Sequence, residues 1–366
     1  PLAYAQLGEE QGAPRCPVLL SPPHHIHERA VDGEAAEARD ALAHDRHDRF
    51  MGMRKQTVGT FPLVETLGAF FGFRMVTDAL GWTRPHEGGA LFEPDASRSR
   101  VPDFDPEVDP GAGGIAFDDQ VAMAEGALRN MGLIRDFAEV VMLCVHGGRS
   151  TNNPYASGLD CGACGGHPGD VNARVASAIL NAPAVREALA GRGIDIPADT
   201  RFVAALHDTT LDRVELLDAD GLSDGQRARV EAWLEQACSR TRDERAAGLG
   251  EKPGRGLGAR LLRRSQDWSE VRPEWGLAGN AAFIAAPRER TRGLDLEGRT
   301  FLHDYDAGLD ADGSVLELIL TAPLVVASWI NLQYYASTVD NERFGSGNKA
   351  LHNVVGRHGV MLGNRS

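Results

Sequence analysis

Between Glu139 and Arg174 the chain reads EVVMLCVHGGRSTNNPYASGLDCGACGGHPGDVNAR, and this stretch constrains the fold more than any other. The apolar run from Val140 to Val145 has the length and composition of a strand buried on both faces. It stops at His146 and a Gly-Gly pair. A polar loop then leads to Asp160, Cys161, Cys164 and His167, set among glycines, and a helix is expected to start near Asp170. The Asp170 carboxylate suits the free N–H groups of a first helical turn. A histidine therefore sits where a buried strand ends, and two cysteines sit just ahead of the next helix. In open α/β sheets, ligands bind at that edge, outside the carboxyl ends of the strands.

A second stretch repeats the arrangement. Arg201 to Leu206, RFVAAL, reads as another buried strand, and it too ends in a histidine, His207, followed by Asp208. The amphipathic segment between the two strands, Asn172 to Ala190, reads as a helical crossover interrupted at Pro183. Two strands joined by a helix predict a right-handed βαβ unit. The expected architecture is α/β: a mainly parallel sheet flanked by helices over residues 118–366, preceded by a helical and irregular segment, 1–117. Within the latter, residues 34–56 read as a charged surface helix, and 61–82 as an apolar helix with Pro62 at its start. Residues 83–118 read as a long Pro-, Gly- and Asp-rich loop. Further expectations are helices over 118–132 and 224–247, a third strand over 280–286, an extended segment over 298–305, and a strand followed by a helix over 313–332. The most apolar long stretch, Val315 to Leu332, contains Glu317, Pro323 and Asn331 and so fails as a membrane span.

The formal charge of −14 argues against non-specific nucleic-acid binding, which needs clustered Lys and Arg, and against docking on anionic lipid through a basic patch. The basic residues Arg255, Arg260, Arg263 and Arg264 form a local exception. The five cysteines are an odd number, and three of them, Cys144, Cys161 and Cys164, fall within 21 positions, a pattern of a reducing compartment rather than of a secreted disulfide framework.

Thiolate and imidazole are preferred zinc ligands, and a cysteine at a helix N-terminus has its thiolate stabilised. Three arrangements fit the spacing. One is a catalytic zinc on His146 and Cys161, completed by ligands from elsewhere. Another is a closed structural zinc on Cys161, Cys164, His146 and His167. The third is a Cys-x-x-Cys redox pair. Buried, unliganded cysteines are the bland alternative.

The segments His146-Gly-Gly-Arg-Ser-Thr-Asn-Asn-Pro-Tyr, Leu159-Asp-Cys-Gly-Ala-Cys-Gly-Gly and Ala205-Leu-His-Asp-Thr-Thr carry a resemblance. So do Pro273-Glu-Trp-Gly-Leu-Ala-Gly-Asn, Thr291-Arg-Gly-Leu-Asp-Leu, Ile330-Asn-Leu-Gln-Tyr-Tyr and His352-Asn-Val-Val-Gly. Over nearly its whole length the chain resembles the DabA family, subunits of bacterial energy-coupled inorganic carbon transporters. The resemblance implies a core similar to that of β-carbonic anhydrases, where zinc is held by a Cys-x-Asp-x-Arg motif and by a later His and Cys. The later pair falls on His146 and Cys161; the earlier motif falls on nothing here, since neither Cys16 nor Cys144 fits it. The chain thus resembles a fragment that lacks the N-terminal motif and the C-terminal end. What the resemblance implies for the intact protein is a Zn2+ centre that hydrates carbon dioxide to bicarbonate. It also implies a membrane antiporter-like partner of the DabB type, and a peripheral position on the cytoplasmic face of the bacterial inner membrane. Alternatives are a scaffold subunit with a structural Cys2His2 zinc and a free-standing zinc hydrolase. Asp160, Cys164, His207 and Asp208 are candidate residues around the metal ligands.

Overall fold

The computed structural model describes residues 27–30, 42, 45–46, 49–50, 53, 57–80, 82, 100–103, 114–147, 169–265 and 280–339. In chain order these form β1 (His27–Ala30), α1 (Thr57–Ala79), β2 (Arg100–Asp103), α2 (Phe117–Asn130), β3 (Val140–Gly147), α3 (Asp170–Asn181) and α4 (Pro183–Ala190). There follow β4 (Arg201–Asp208), β5 (Arg213–Leu217), α5 (Asp224–Ala246), α6 (Leu257–Arg264), β6 (Ala282–Ala285), β7 (Thr300–His303), α7 (Ser314–Thr321) and α8 (Pro323–Val339). The chain divides into two units. One comprises Pro1–Ile115, Met142–Ser177 and Val203–Arg272; the other comprises Ala116–Val141, Ala178–Phe202 and Pro273–Ser366.

The molecule is mixed helix and small sheets rather than one large parallel sheet. Among the described residues the strands fall into sheets β1–β2, β3–β4–β5 and β6–β7. Parallel pairing, which the sequence predicts, occurs in two of them. β6 and β7 pair in parallel, with Phe283 beside Phe301 and their rings stacked at 5.0 Å. β3 and β4 also run in the same direction. The Arg201 N–H bonds the Glu139 carbonyl at one end, and the Thr209 N–H bonds the Gly147 carbonyl at the other, at the same sequence offset. β5 departs from the expectation: it runs antiparallel to β4, with Asp208 opposite Arg213.

In the first unit, one face of the β3–β4–β5 sheet is apolar. Leu143, Val145, Ala204, Leu206 and Leu217 pack together with Ala173 of α3. The helix lies close because Gly169 precedes it: a Cβ there would come within 2.7 Å of the Val145 Cβ. The Gly169 N–H bonds the His146 carbonyl at 3.0 Å, and its own carbonyl takes the first helical bond, from Ala173 N at 3.1 Å. α5 packs against β5. It starts with a full capping box, in which Ser223 accepts from Gln226 N–H and the Gln226 side chain accepts from Ser223 N–H.

In the second unit, the break between α3 and α4 falls at Ala182, with Pro183 opening α4, where a missing N–H costs nothing. Asn181 makes a paired amide contact with the start of β4, donating to the Phe202 carbonyl at 2.7 Å and accepting its N–H at 3.1 Å. The Arg186 guanidinium gathers the carbonyls of Leu180 and Thr200 at 2.7 and 2.9 Å and lies 5.9 Å over the Phe202 ring. Arg192 and Arg129 share Glu125 of α2 at 2.8 and 2.9 Å; hydrogen bonds from both guanidiniums hold its carboxyl below the usual range.

The expected strand within 313–332 is instead helix throughout, α7 and then α8. Gly313 enters with φ 75°, and the Asp310 carboxylate accepts the N–H groups of Val315 and Leu316 at 3.1 and 3.0 Å. That side chain satisfies the orphan donors of a helix start, so local capping overrides the β-branched composition. Pro323 then opens a second helix. The helix expected over 34–56 and the loop expected over 83–118 lie largely outside the described residues, and Cys16 lies wholly outside them.

Candidate functional site

β3 ends at His146 and Gly147, and β4 ends at His207 and Asp208. The Gly147 carbonyl accepts both the N–H of Thr209, at 2.8 Å, and its hydroxyl, at 3.1 Å. In a parallel pair that bond seats Gly147 beside Asp208 and His146 beside His207. Side chains in register on neighbouring strands point to the same face, with strand axes about 4.8 Å apart. The two histidines therefore stand side by side at the carboxyl edge of the sheet, on the face opposite the apolar cluster under α3. His146 is exposed, and the His207 side chain is 36% exposed.

Cys144 precedes them on the same face of β3. Burial pushes its thiol above the ordinary range, and Cys238 of α5 adds to the shift, so Cys144 is not a ready thiolate.

Asp208 projects to the other face and is buried. Its Oδ1 accepts the Thr210 N–H at 2.9 Å, which closes the turn into β5. The turn ends at Asp212, which adopts the left-handed φ of 47° that aspartate tolerates. Asp212 is only 5% exposed, and its carboxylate joins two partners. Arg245 of α5 donates to Oδ2, and the His207 Nε2 lies 3.4 Å from Oδ1. Arg242 donates to the Asp212 carbonyl at 3.2 Å. Asp212, Arg242 and Arg245 escape the sequence reading. The available signal was the spacing: a short polar segment, Thr209 to Asp212, between two strands places the fifth residue after His207 back beside it. Recognising that hairpin required seeing RVELL as a strand, and its alternation of charged and apolar residues is brief.

The same chain is similar to known proteins along its full length. The family model described as "Probable inorganic carbon transporter subunit DabA" matches residues 1–366. The chain belongs to the DabA family. Relatives called "Probable inorganic carbon transporter subunit DabA 1" from Bradyrhizobium sp. (strain BTAi1) and "Probable inorganic carbon transporter subunit DabA" from Chloroflexus aurantiacus are 47% and 48% identical. A third, from Roseiflexus castenholzii, is 49% identical. Each match covers 100% of this chain and 44% or 45% of the relative, so this DabA-family chain spans a little under half the length of the curated relatives it matches. No solved structure matches it.

Of the residues singled out for metal binding in this DabA chain, His146 lies at the strand edge. Cys161, Cys164, Asp160 and His167 lie outside the described residues. The His146 imidazole is a ligand of the right chemistry for zinc, but among the described residues no three His, Cys, Asp or Glu side chains gather to hold an ion. The described residues alone therefore do not complete a zinc shell.

Proposed function

We propose that this DabA-family chain contributes His146 and Cys161 to a zinc centre in an inorganic carbon transporter subunit, with carbon dioxide and bicarbonate as the species handled. The observation that carries the reading is the exposed imidazole of His146 at the carboxyl end of β3. It belongs to a chain 47% identical to a relative named a probable inorganic carbon transporter subunit. In this proposal the remaining ligands come from a Cys-x-Asp-x-Arg motif elsewhere in the full-length protein, and the core around the metal is β-carbonic-anhydrase-like. Bound zinc supplies activation of water near neutral pH, the chemistry that hydrates carbon dioxide.

The chain's own part is to hold His146 at the sheet edge. The Gly169-to-His146 bond and the Thr209-to-Gly147 bonds fix the backbone on both sides of that imidazole. Among the described residues no helix is long and apolar enough to cross a membrane. By family membership the proposal includes a membrane-embedded, antiporter-like partner of the DabB type, with this subunit peripheral on the cytoplasmic face.

Zinc analysis of the full-length protein tests the ligand set. Cys161→Ser is expected to abolish zinc binding while Cys164→Ser retains it. Equal loss in both variants would favour a structural Cys2His2 zinc and sink the proposal. The 366-residue chain alone, offering two of the proposed ligands, is expected to bind little zinc; one zinc per chain would contradict the ligand set.

A further inference from the structure

We propose that His207 binds hydrogencarbonate at this edge, accepting the O–H of the anion at its Nδ1, and that Asp212 is the residue that positions its ring. The inference rests on the reading above, because it takes inorganic carbon as the species that meets His146.

The chemistry follows from the partners. Asp212 is nearly buried, and a buried carboxylate needs compensation, which Arg245 provides. An ionised carboxylate can only accept, so the imidazole nitrogen facing it, Nε2, must carry the hydrogen. With that hydrogen on Nε2, the one-hydrogen form of the ring has its lone pair on Nδ1. Among the described residues Nδ1 makes no hydrogen bond, and the ring is partly open to solvent. The turn itself is closed by Asp208 and Thr210, so the Arg245–Asp212–His207 chain is not needed to make the hairpin. What the chain does is set which nitrogen of His207 accepts, beside His146 in register.

Hydrogencarbonate is a trigonal anion with one hydroxyl. An acceptor at Nδ1 favours it over nitrate, which has the same shape and charge and no hydrogen to donate.

The test uses cells that carry the full-length subunit with its membrane partner. Initial uptake of radiolabelled inorganic carbon is measured against concentration, and zinc per purified subunit is measured alongside. Asparagine places its amide where Nδ1 sits, and glutamine places its amide where Nε2 sits. Loss of one hydrogen bond is worth about tenfold, so His207→Leu and His207→Gln are expected to raise the half-saturation concentration about tenfold, and His207→Asn by less than about threefold. Asp212→Asn is expected to fall between. Nitrate is expected to compete better in His207→Leu than in the parent. Zinc content stays at the parent value in all four.

Better function in His207→Gln than in His207→Asn would mean that the contact with Asp212 is what matters, and would overturn the inference. Parent-like uptake in every variant, or loss of zinc in any His207 variant, would overturn it as well. If His146→Ala abolishes uptake while the His207 variants behave like the parent, only this inference fails. Intact uptake in His146→Ala means that the underlying zinc reading fails.

Discussion

The strand β4 and the helix α1 use similar amino acids and meet opposite fates. In β4 the residues Phe202 to Leu206 are all buried, and Ala204 and Ala205 are inaccessible. In α1 the aromatic residues Phe61 and Phe73 are 73% and 69% exposed, and Val64, Phe70 and Val76 are exposed beside them. Apolar character alone therefore does not decide burial; a second layer does. Leu206 and Ala204 lie under α3, in one cluster with Ala173. Among the described residues these α1 side chains join no such cluster.

Four substitutions break or sharpen this contrast. The largest effect is expected from Phe202→Ala. Its ring is 2% exposed and sits against Phe137 and the Arg186 guanidinium, so truncation should lower unfolding free energy by about 3–5 kcal/mol in chemical denaturation. A loss below about 1 kcal/mol would mean that β4 is not core. Gly169→Ala is next. Its new methyl would meet a fixed Cβ of Val145 rather than a flexible side-chain end, for a cost of about 1–3 kcal/mol from forced displacement of α3.

Asp310 gives a smaller, pH-dependent effect. Burial opposes its ionised form, but the N–H groups of Leu316 and Val315 outweigh that and hold its carboxyl below the usual range. A carboxyl lowered on folding stabilises above its ordinary range, and that contribution is lost as pH falls through the depressed value. The protection factors of the Val315 and Leu316 amides should therefore fall on acidification in the parent, and Asp310→Ala should remove most of that dependence. An unchanged profile in the variant would assign the start of α7 to Gly313 and to Asp312, whose carboxylate accepts the Ser314 N–H at 3.1 Å. The smallest effect is expected from Phe73→Ser, within about 0.5 kcal/mol for this chain, because an exposed ring has little to lose. A loss near that of Phe202→Ala would show that the Phe73 ring is covered after all.

Much of the sheet edge was legible in the sequence, for a physical reason. β4 is an unbroken apolar run buried on both faces, as expected. β3 is an apolar run that is only half-buried, with Cys144 and His146 exposed, so its expected burial does not hold. Each run is closed by a histidine. The crossover was equally legible because Pro183 marks its break. Three things were not. β5 is short and alternates charge with apolar residues, so its pattern was too brief to register. The strand expected within 313–332 was a misreading of composition: Val315 and Ile319 favour strand, Leu316, Leu318 and Leu320 favour helix, and the cap that decides, Asp310, lies outside the run. Asp212 was hidden because its role depends on a left-handed turn folding it back onto His207, a tertiary fact with only a weak local signature. The register of His146 beside His207 likewise needed the Thr209-to-Gly147 bonds.

The account turns on His146 meeting a metal at the carboxyl edge of β3. X-ray absorption at the zinc edge, on the full-length protein with and without His146→Ala, tests this most directly. The expected parent spectrum has sulfur near 2.3 Å and imidazole nitrogen near 2.0–2.1 Å, and the variant loses the imidazole signature or the metal itself. An identical zinc environment in parent and variant would contradict the claim.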